Sequence, residues 1–555
     1  MIMKITLLAL SLLLPLVAQE RVDQTTDAKM RSEELEHSQI MHTLHMLTDR
    51  YGPRVTGTPN HELAAKWAAA EMARWGLKNT HLEPWEFGHP GWLNETASGH
   101  IDVPVRENIK FEVLAWTPST PGKVEASAIQ IVPPQGPFPP ADPAAAGGRG
   151  GRGGGGRGGP PARLGPLKTE LDAWIAATQP KVRGKIVLIG KQTVIPVNFE
   201  PPAKRRPDDQ VKAQFDPVHP AEGFGRGGNP TPPVDPARYT PNEANAKVDA
   251  MLVAGGAAIR INDAARADGI IVAQQHRGYD PTTAVPTVIL RNDDFGRVER
   301  LMADGEDVKL DFEIANHVYP EGKTSYNTIG EIPGTDKASE VVMLGGHLDS
   351  WHGGTGATDN AIGCSIMMEA ARLIQNSGVK PRRTIRVALW SGEEEGLLGS
   401  LAYVKAHFGT AEDPKPEFSK LDAYFNVDSG TGRLRGATVF GPPEAAALLR
   451  PVFIQFEDWG IEGAIPTTSR NVAGTDSTSF NNAGLPGIGL QQDPIEYNSM
   501  THHTNLDTYE RIIPDDVQKA AAIVAAAVLH VANRDEMVPR FQKDKMPAPV
   551  KVPEF

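Results

Sequence analysis

A chain of 555 residues is longer than one ordinary hydrophobic core organises, so two or three domains are expected. With 40% hydrophobic and 22% charged residues the composition is globular. A net charge of -12 argues against a general nucleic-acid binder and for an ordinary soluble enzyme.

The N-terminus reads MIMKITLLALSLLLPLVAQE. Lys4 supplies a positive start, Ile5 to Val17 an apolar run, and Ala18 a cleavage point, which together read as a secretory signal over residues 1–18. The run is shorter than the ~20 residues of a membrane span, and no later segment is long and apolar enough to be one. The mature chain is therefore expected to be secreted or periplasmic, without a membrane partner. Its one cysteine, Cys364, leaves no intrachain disulfide and reads as a small buried hydrophobe.

Residues 19–116 form a preface. Ile40, Leu44 and Leu47 give helical spacing across Glu33–Tyr51, YGPRVTGTPN is a loop, and His61–Trp75 is a second helix stopped at Gly76. THLEPWEF reads as an edge strand. The preface is too small to fold alone and is expected to pack on the later catalytic domain. Residues 117–322 read as an inserted β-rich domain with strands at VEASAIQIV, GKIVLIGK, DGIIVAQ and TVILRND. Two low-complexity loops interrupt it, the Gly-rich run Gly147–Gly159 and the Pro-rich stretch Pro196–Pro241. Arg-Gly-Gly repeats can bind RNA, but in an acidic exported chain they read as flexible surface loops, with gating of a site as the insert's expected role.

Residues 323–536 alternate apolar strands with helices. VVMLGG, RTIRVALW, LDAYFNVD and PGIGLQQ are strands; Asn360–Ile374, Leu397–His407, Glu444–Trp459 and Asp515–Ala532 are helical. This predicts an α/β fold, a parallel or mixed sheet covered on both faces, followed by an irregular tail over 537–555.

In such sheets the ligand crevice lies beyond the carboxyl ends of the strands. Here those ends carry His347 and Asp349, then Glu393 and Glu394, then Asp428, and finally a loop with His502 and His503. Asp359 opens the helix after the first strand. The donors are nitrogen and oxygen, as in open catalytic zinc sites. A single catalytic zinc takes about three protein ligands, so five ligands suit two ions with Asp359 as the bridge. One of the adjacent glutamates can ligate while the other acts as general base. Asp349 lies two residues from His347 and can accept the imidazole's second N–H. Of His502 and His503 only one is required as a ligand; the other is either solvated or a donor to a developing oxyanion.

The motifs GGHLDS, GATDNAIG, SGEEEGLLGS, NVDSG and HHTNLDT together resemble the di-zinc exopeptidases of peptidase family M28, which include bacterial leucyl aminopeptidases and glutamate carboxypeptidase. DRYGPRVTGTPN, HLEPW, GTDSTSF and EMVPR are similar to the carboxypeptidase Q branch. The resemblance implies a phosphorylase/hydrolase-like sandwich with an inserted protease-associated domain and two Zn2+. It implies Asp359 as bridge, His347 and Asp428 on one zinc, Glu394 and His503 on the other, Glu393 as general base, and Asp349 as the carboxylate behind the ligands. Many relatives carry Tyr where this chain has His502, which sits in a comparable place. The implied activity is hydrolysis of short peptides, of aminopeptidase or dipeptidase type, by a metal-bridged hydroxide. A carboxypeptidase, another amide hydrolase, and a non-catalytic binding protein on a peptidase scaffold are the rivals. Arg470 and Asp476 are read either as contacts to a substrate terminus or as loop holders. A homodimer is left open.

Overall fold

Two eight-stranded mixed sheets organise the described part of the molecule. The computed structural model describes residues 20–138, 163–199, 204–218, 235–276, 278–471 and 474–549. The signal read over 1–18 and the Gly-rich run 147–159 lie outside these residues, as do 200–203 and 219–234 of the Pro-rich stretch and the last residues of the tail.

In chain order the strands are β1 (Lys78–Glu86), β2 (Gly91–Val103), β3 (Glu107–Asn108), β4 (Phe111–Val113), β5 (Val124–Ile131), β6 (Ile186–Ile189), β7 (Ile259–Asp263), β8 (Thr287–Leu290), β9 (Lys309–Tyr319), β10 (Thr324–Ile332), β11 (Lys337–His347), β12 (Arg383–Trp390), β13 (Leu421–Val427), β14 (Leu434–Phe440), β15 (Gly463–Thr467) and β16 (Gly487–Gln492). The first sheet runs β1-β10-β12-β11-β13-β16-β14-β15, and its centre, β12-β11-β13-β16, is parallel. Every residue of β13 is buried, as a strand covered on both faces requires.

One face of this sheet packs on the helices Ile362–Ser377 and Pro514–Asn533, together with the N-terminal helices. The other packs on Leu398–His407 and Ser477–Ala483 around Trp390, Tyr424 and Phe480. The fold is therefore the expected α/β sandwich, and β1 is its edge strand. Cys364 is buried in the first face, and burial pushes its thiol up to about 12. Among the described residues no helix is long and apolar enough to cross a membrane.

The second sheet runs β3-β2-β9-β5-β6-β7-β8-β4 and has its own core around Trp92, Trp116, Phe295 and Phe312. It begins at Gly91, upstream of the composition change at Thr117, so the change of sheet falls within Phe87–Pro90. The polar run NETASGH in β2 hides a strand whose apolar residues are few, and its pairing with β9 completes it. This unit is α/β rather than simply β-rich, since the helices Lys168–Thr178, Pro241–Gly255 and Asn292–Ala303 belong to it. DGIIVAQ forms no strand there; it makes isolated bridges through Val272 to Thr504, and the adjoining Gln275 bridges to Ala115.

The helix expected over Glu33–Tyr51 is broken. Gln24–His37 ends at Ser38, whose extended backbone turns the chain, and the Ser38 hydroxyl accepts from Ile40 N to start Ile40–His45. The second preface helix spans Pro59–Arg74, with Thr58 accepting from His61 N and Pro59 in the first turn.

Candidate metal centre

The parallel register of the central strands brings the first ligands together. β11 and β13 pair with Gly345 opposite Asn426, so His347 and Asp428 emerge side by side, with His347 Nε2 3.4 Å from Asp428 Oδ1. β12 pairs with His347 opposite Trp390, and the turn that follows places Glu393 Oε2 3.9 Å from His347 Nε2. Asp359 sits in the wide turn Ala357–Ala361 that opens the helix Ile362–Ser377. Gly356 leads into that turn at φ +63, where a Cβ would come within 2.3 Å of Ser350 Cβ.

Asp359 faces both ways. Its Oδ1 lies 3.3 Å from His347 Nε2, and its Oδ2 lies 3.3 Å from His503 Nε2. His503 Nε2 is in turn 2.9 Å from Glu394 Oε2. Two donor clusters thus meet at one carboxylate, His347 with Asp428 on one side and Glu394 with His503 on the other.

The donor set fits a pair of cations. His347 Nε2, Asp359 Oδ2 and Glu394 Oε1 are buried without hydrogen-bond partners and converge on the same space. Burial drives the carboxyls of Glu393 and Glu394 well above their ordinary range, and the neighbouring carboxylates add to it. Burial works against the His347 imidazolium, yet Glu393 and Asp428 lift it well above its usual value. Such a density of acid in a closed pocket calls for positive charge, and borderline N/O donors suit zinc.

Asp349 approaches His347 through its backbone as well as through its carboxylate. The backbone carbonyl of Asp349 lies 3.1 Å from His347 Nδ1, and the carboxylate Oδ1 is 3.7 Å away. The strand has ended by that point, and the turn swings the Asp349 side chain toward Glu394 N at 3.1 Å and the Thr56 hydroxyl at 3.3 Å. Asp349 therefore ties the glutamate turn to the preface. Arg470 is bound to Glu412 and the Asn482 carbonyl as a loop holder, and Asp476 is wholly buried at the start of Ser477–Ala483. The His502 ring stacks on His503 at 3.7 Å, with Nε2 3.9 Å from Asp359 Oδ2.

Several supporting residues escape a reading by sequence alone. Arg54, fully buried, donates to the carbonyls of Leu47, Leu348, Thr355 and Gly356, fastening the end of β11 to the turn before Asp359. Asp507 accepts from the backbone N–H groups of Thr358 and Asp359 at 2.6 and 3.0 Å. The Tyr497 hydroxyl donates to Asp428 Oδ1 at 3.3 Å. Gln274, from the second unit, lies 2.9 Å from His503 Nδ1. Arg54, Asp507 and Gln274 bind groups more than 140 residues away, so no local spacing announces them.

Residues 327–528 match the family model Peptidase family M28. Carboxypeptidase Q of Mus musculus is 33% identical over 261 residues, covering 47% of this chain and 53% of that protein. The Homo sapiens protein of the same name is 31% identical over 261 residues, covering 47% and 52%. The chain thus spans about half the length of the curated relatives it matches. Among solved structures, a peptidase M28 precursor from Shewanella amazonensis superposes with a TM-score of 0.61 at 23% identity, covering 94% of this chain and 99% of that one. A zinc aminopeptidase from Bacillus subtilis gives 0.53 at 18%, covering 91% and 98%; both show likeness of fold. The matched stretch, residues 327–528, carries all of the candidate site residues, and it is similar to peptidase family M28.

Proposed function

We propose that the chain is an exported, zinc-dependent exopeptidase that hydrolyses short peptides, of aminopeptidase or dipeptidase type. The observation that carries this reading is Asp359, whose two oxygens each stand 3.3 Å from a different imidazole. His347 and Asp428 would hold one zinc ion, Glu394 and His503 the second, with Asp359 shared between them. When bound, such an ion pair polarises a peptide carbonyl and makes water acidic enough to attack it.

Glu393 does the proton work. It stands beside the candidate ligands, with its Oε2 3.9 Å from His347 Nε2. It takes a proton from the attacking water and returns it to the leaving amine. Asp349 steadies the turn that carries it, and His502 is placed beside Asp359 to donate to the carbonyl oxygen as negative charge develops.

Among the described residues, two buried arginines are already engaged. Arg54 is engaged by four carbonyls and Arg470 by Glu412, so neither is offered to a terminal carboxylate. The leader-type segment over residues 1–18 supports export.

A panel of dipeptides, N-blocked peptides and C-amidated peptides tests the specificity. Cleavage of C-amidated but not N-blocked peptides is expected; the reverse pattern would make the enzyme a carboxypeptidase. Glu393→Gln should lower kcat by about 10²–10⁴-fold with zinc retained. Near-normal turnover in that variant would remove Glu393 from the mechanism.

A further inference from the structure

Gln274 reaches the metal centre from the other unit of the molecule. It follows the segment that bridges to the His503 loop, and its amide Nε2 lies 2.9 Å from His503 Nδ1. The residues around it are anchored on both sides. Ala115 N donates to the Gln274 carbonyl at 3.1 Å, and Gln275 bridges to Ala115 beside β4. On the catalytic side, Val272 bridges to Thr504, Ile271 N donates to Asn505 Oδ1 at 2.8 Å, and Asn505 N donates to the Ile271 carbonyl at 3.1 Å. The Asn505 amide also donates to the Gly269 carbonyl at 3.2 Å.

His503 needs such a hold. Its backbone lies at φ +61, a left-handed conformation that costs a non-glycine residue energy unless its surroundings impose it. Its Nε2 faces Asp359 and Glu394. A cation on Nε2 leaves the proton on Nδ1, so a partner for Nδ1 must accept. Gln274 faces the ring with its Nε2, which donates; turned end for end, the same carboxamide presents its oxygen and accepts from Nδ1–H, since its two ends are close in shape.

We infer that Gln274 is a positioning residue for the second zinc site: the inserted unit selects the tautomer and the angle of His503 and thereby completes the Glu394–His503 half of the centre. This rests on the two-ion reading above. It assigns the insert a constructive role in the site, in place of gating alone. The His347–Asp428 half has its own support, because the His347 ring is held by the Asp349 carbonyl and Asp428 by Tyr497.

The test is zinc titration of the full-length, metal-stripped chain against a chromogenic chelator, followed by the absorption spectrum of the cobalt-substituted protein. Wild type should bind two ions. Gln274→Leu should bind the first as wild type does and the second about 10–100-fold more weakly, with a changed cobalt spectrum. Gln274→Glu, which keeps an acceptor at Nδ1, should restore the second site. A wild-type chain that binds fewer than two ions refutes the two-ion reading and this inference with it. Two ions in wild type and two equally tight ions in Gln274→Leu refute this inference alone. Where Gln274→Leu does not fold, weak second-site binding in Gln274→Glu overturns it.

Discussion

His347 and Asp428 stand at the ends of adjacent parallel strands, whereas Glu394 and His503 stand on a turn and a loop. The two halves of the site are built by different means. Sheet register brings the first pair to 3.4 Å, because a strand's hydrogen-bond ladder fixes where its last residue points. The second pair is closer, at 2.9 Å, yet no ladder sets it. It depends on polar contacts arriving from elsewhere: Asp349 and Thr56 beneath the glutamate turn, and Asp507, Asn505 and Gln274 around the histidine loop. Strand register sets the position of the first pair, with Tyr497 and Arg54 as outside support; the second pair is positioned by turns, loops and their polar contacts.

The substitution with the largest expected effect strikes both halves together. Asp359→Ala takes one oxygen from each cluster, so each proposed cation position loses a ligand. Zinc analysis after gel filtration should find less than one ion per chain, against the two proposed for wild type, with peptide hydrolysis lost in parallel. Retention of one firmly bound ion would show that a single cluster stands without the bridge.

Arg54 tests the strand-end half. Its guanidinium reaches four carbonyls that a lysine ammonium cannot span. Arg54→Lys leaves some of these buried oxygens without donors, at ~1–3 kcal/mol each. A loss of about 3 kcal/mol in zinc-saturated urea denaturation is expected. An unchanged midpoint would mean that the carbonyls find other donors and that Arg54 is not what holds the end of β11 to the Asp359 turn.

The same division explains what could be read in the sequence. The strand-end residues were legible because apolar runs such as RTIRVALW locate the strands, and acids or histidines directly after them locate the crevice. Side-chain chemistry also singled out Asp359 as the shared carboxylate. It did not decide between His502 and His503, since two adjacent histidines on a loop have no periodicity to separate them. Geometry distinguishes them: His503 Nε2 is 3.3 Å from Asp359 Oδ2, and His502 Nε2 is 3.9 Å. The Asp349 contacts with Glu394 N and Thr56 were not legible, because the strand ends at His347 and the turn beyond it sets where the other carboxylate oxygen points. Among the strands, β2 was hidden by its polar residues, and β14 and β15 by the glycines that surround them. Gln274 and Arg54 are not metal-type residues themselves, and only the folded chain brings them to the site.

A control far from both halves should alter stability and leave the centre alone. Glu34, in the helix Gln24–His37, is wholly buried, and burial together with neighbouring Glu369 raises its carboxyl to about 10. Glu369 is held by Arg372, which also binds Glu33. The folded state thus keeps Glu34 protonated, while in the unfolded chain it ionises near its ordinary value of 4.5. A raised pKa means that the folded state binds the proton more tightly. Stability from this group is complete below 4.5 and is lost progressively as pH rises toward 10, at up to ~1.4 kcal/mol per pH unit. Glu34→Gln keeps the shape and cannot ionise. Its denaturation midpoint should match wild type near pH 5 and exceed it by a widening margin to pH 9, with the zinc content of wild type throughout. A margin that does not change with pH would place the Glu34 proton outside the folding equilibrium. A loss of zinc in this variant would show that the preface supports the strand-end half through the helix Ile362–Ser377, and the two halves would then differ less than their construction indicates.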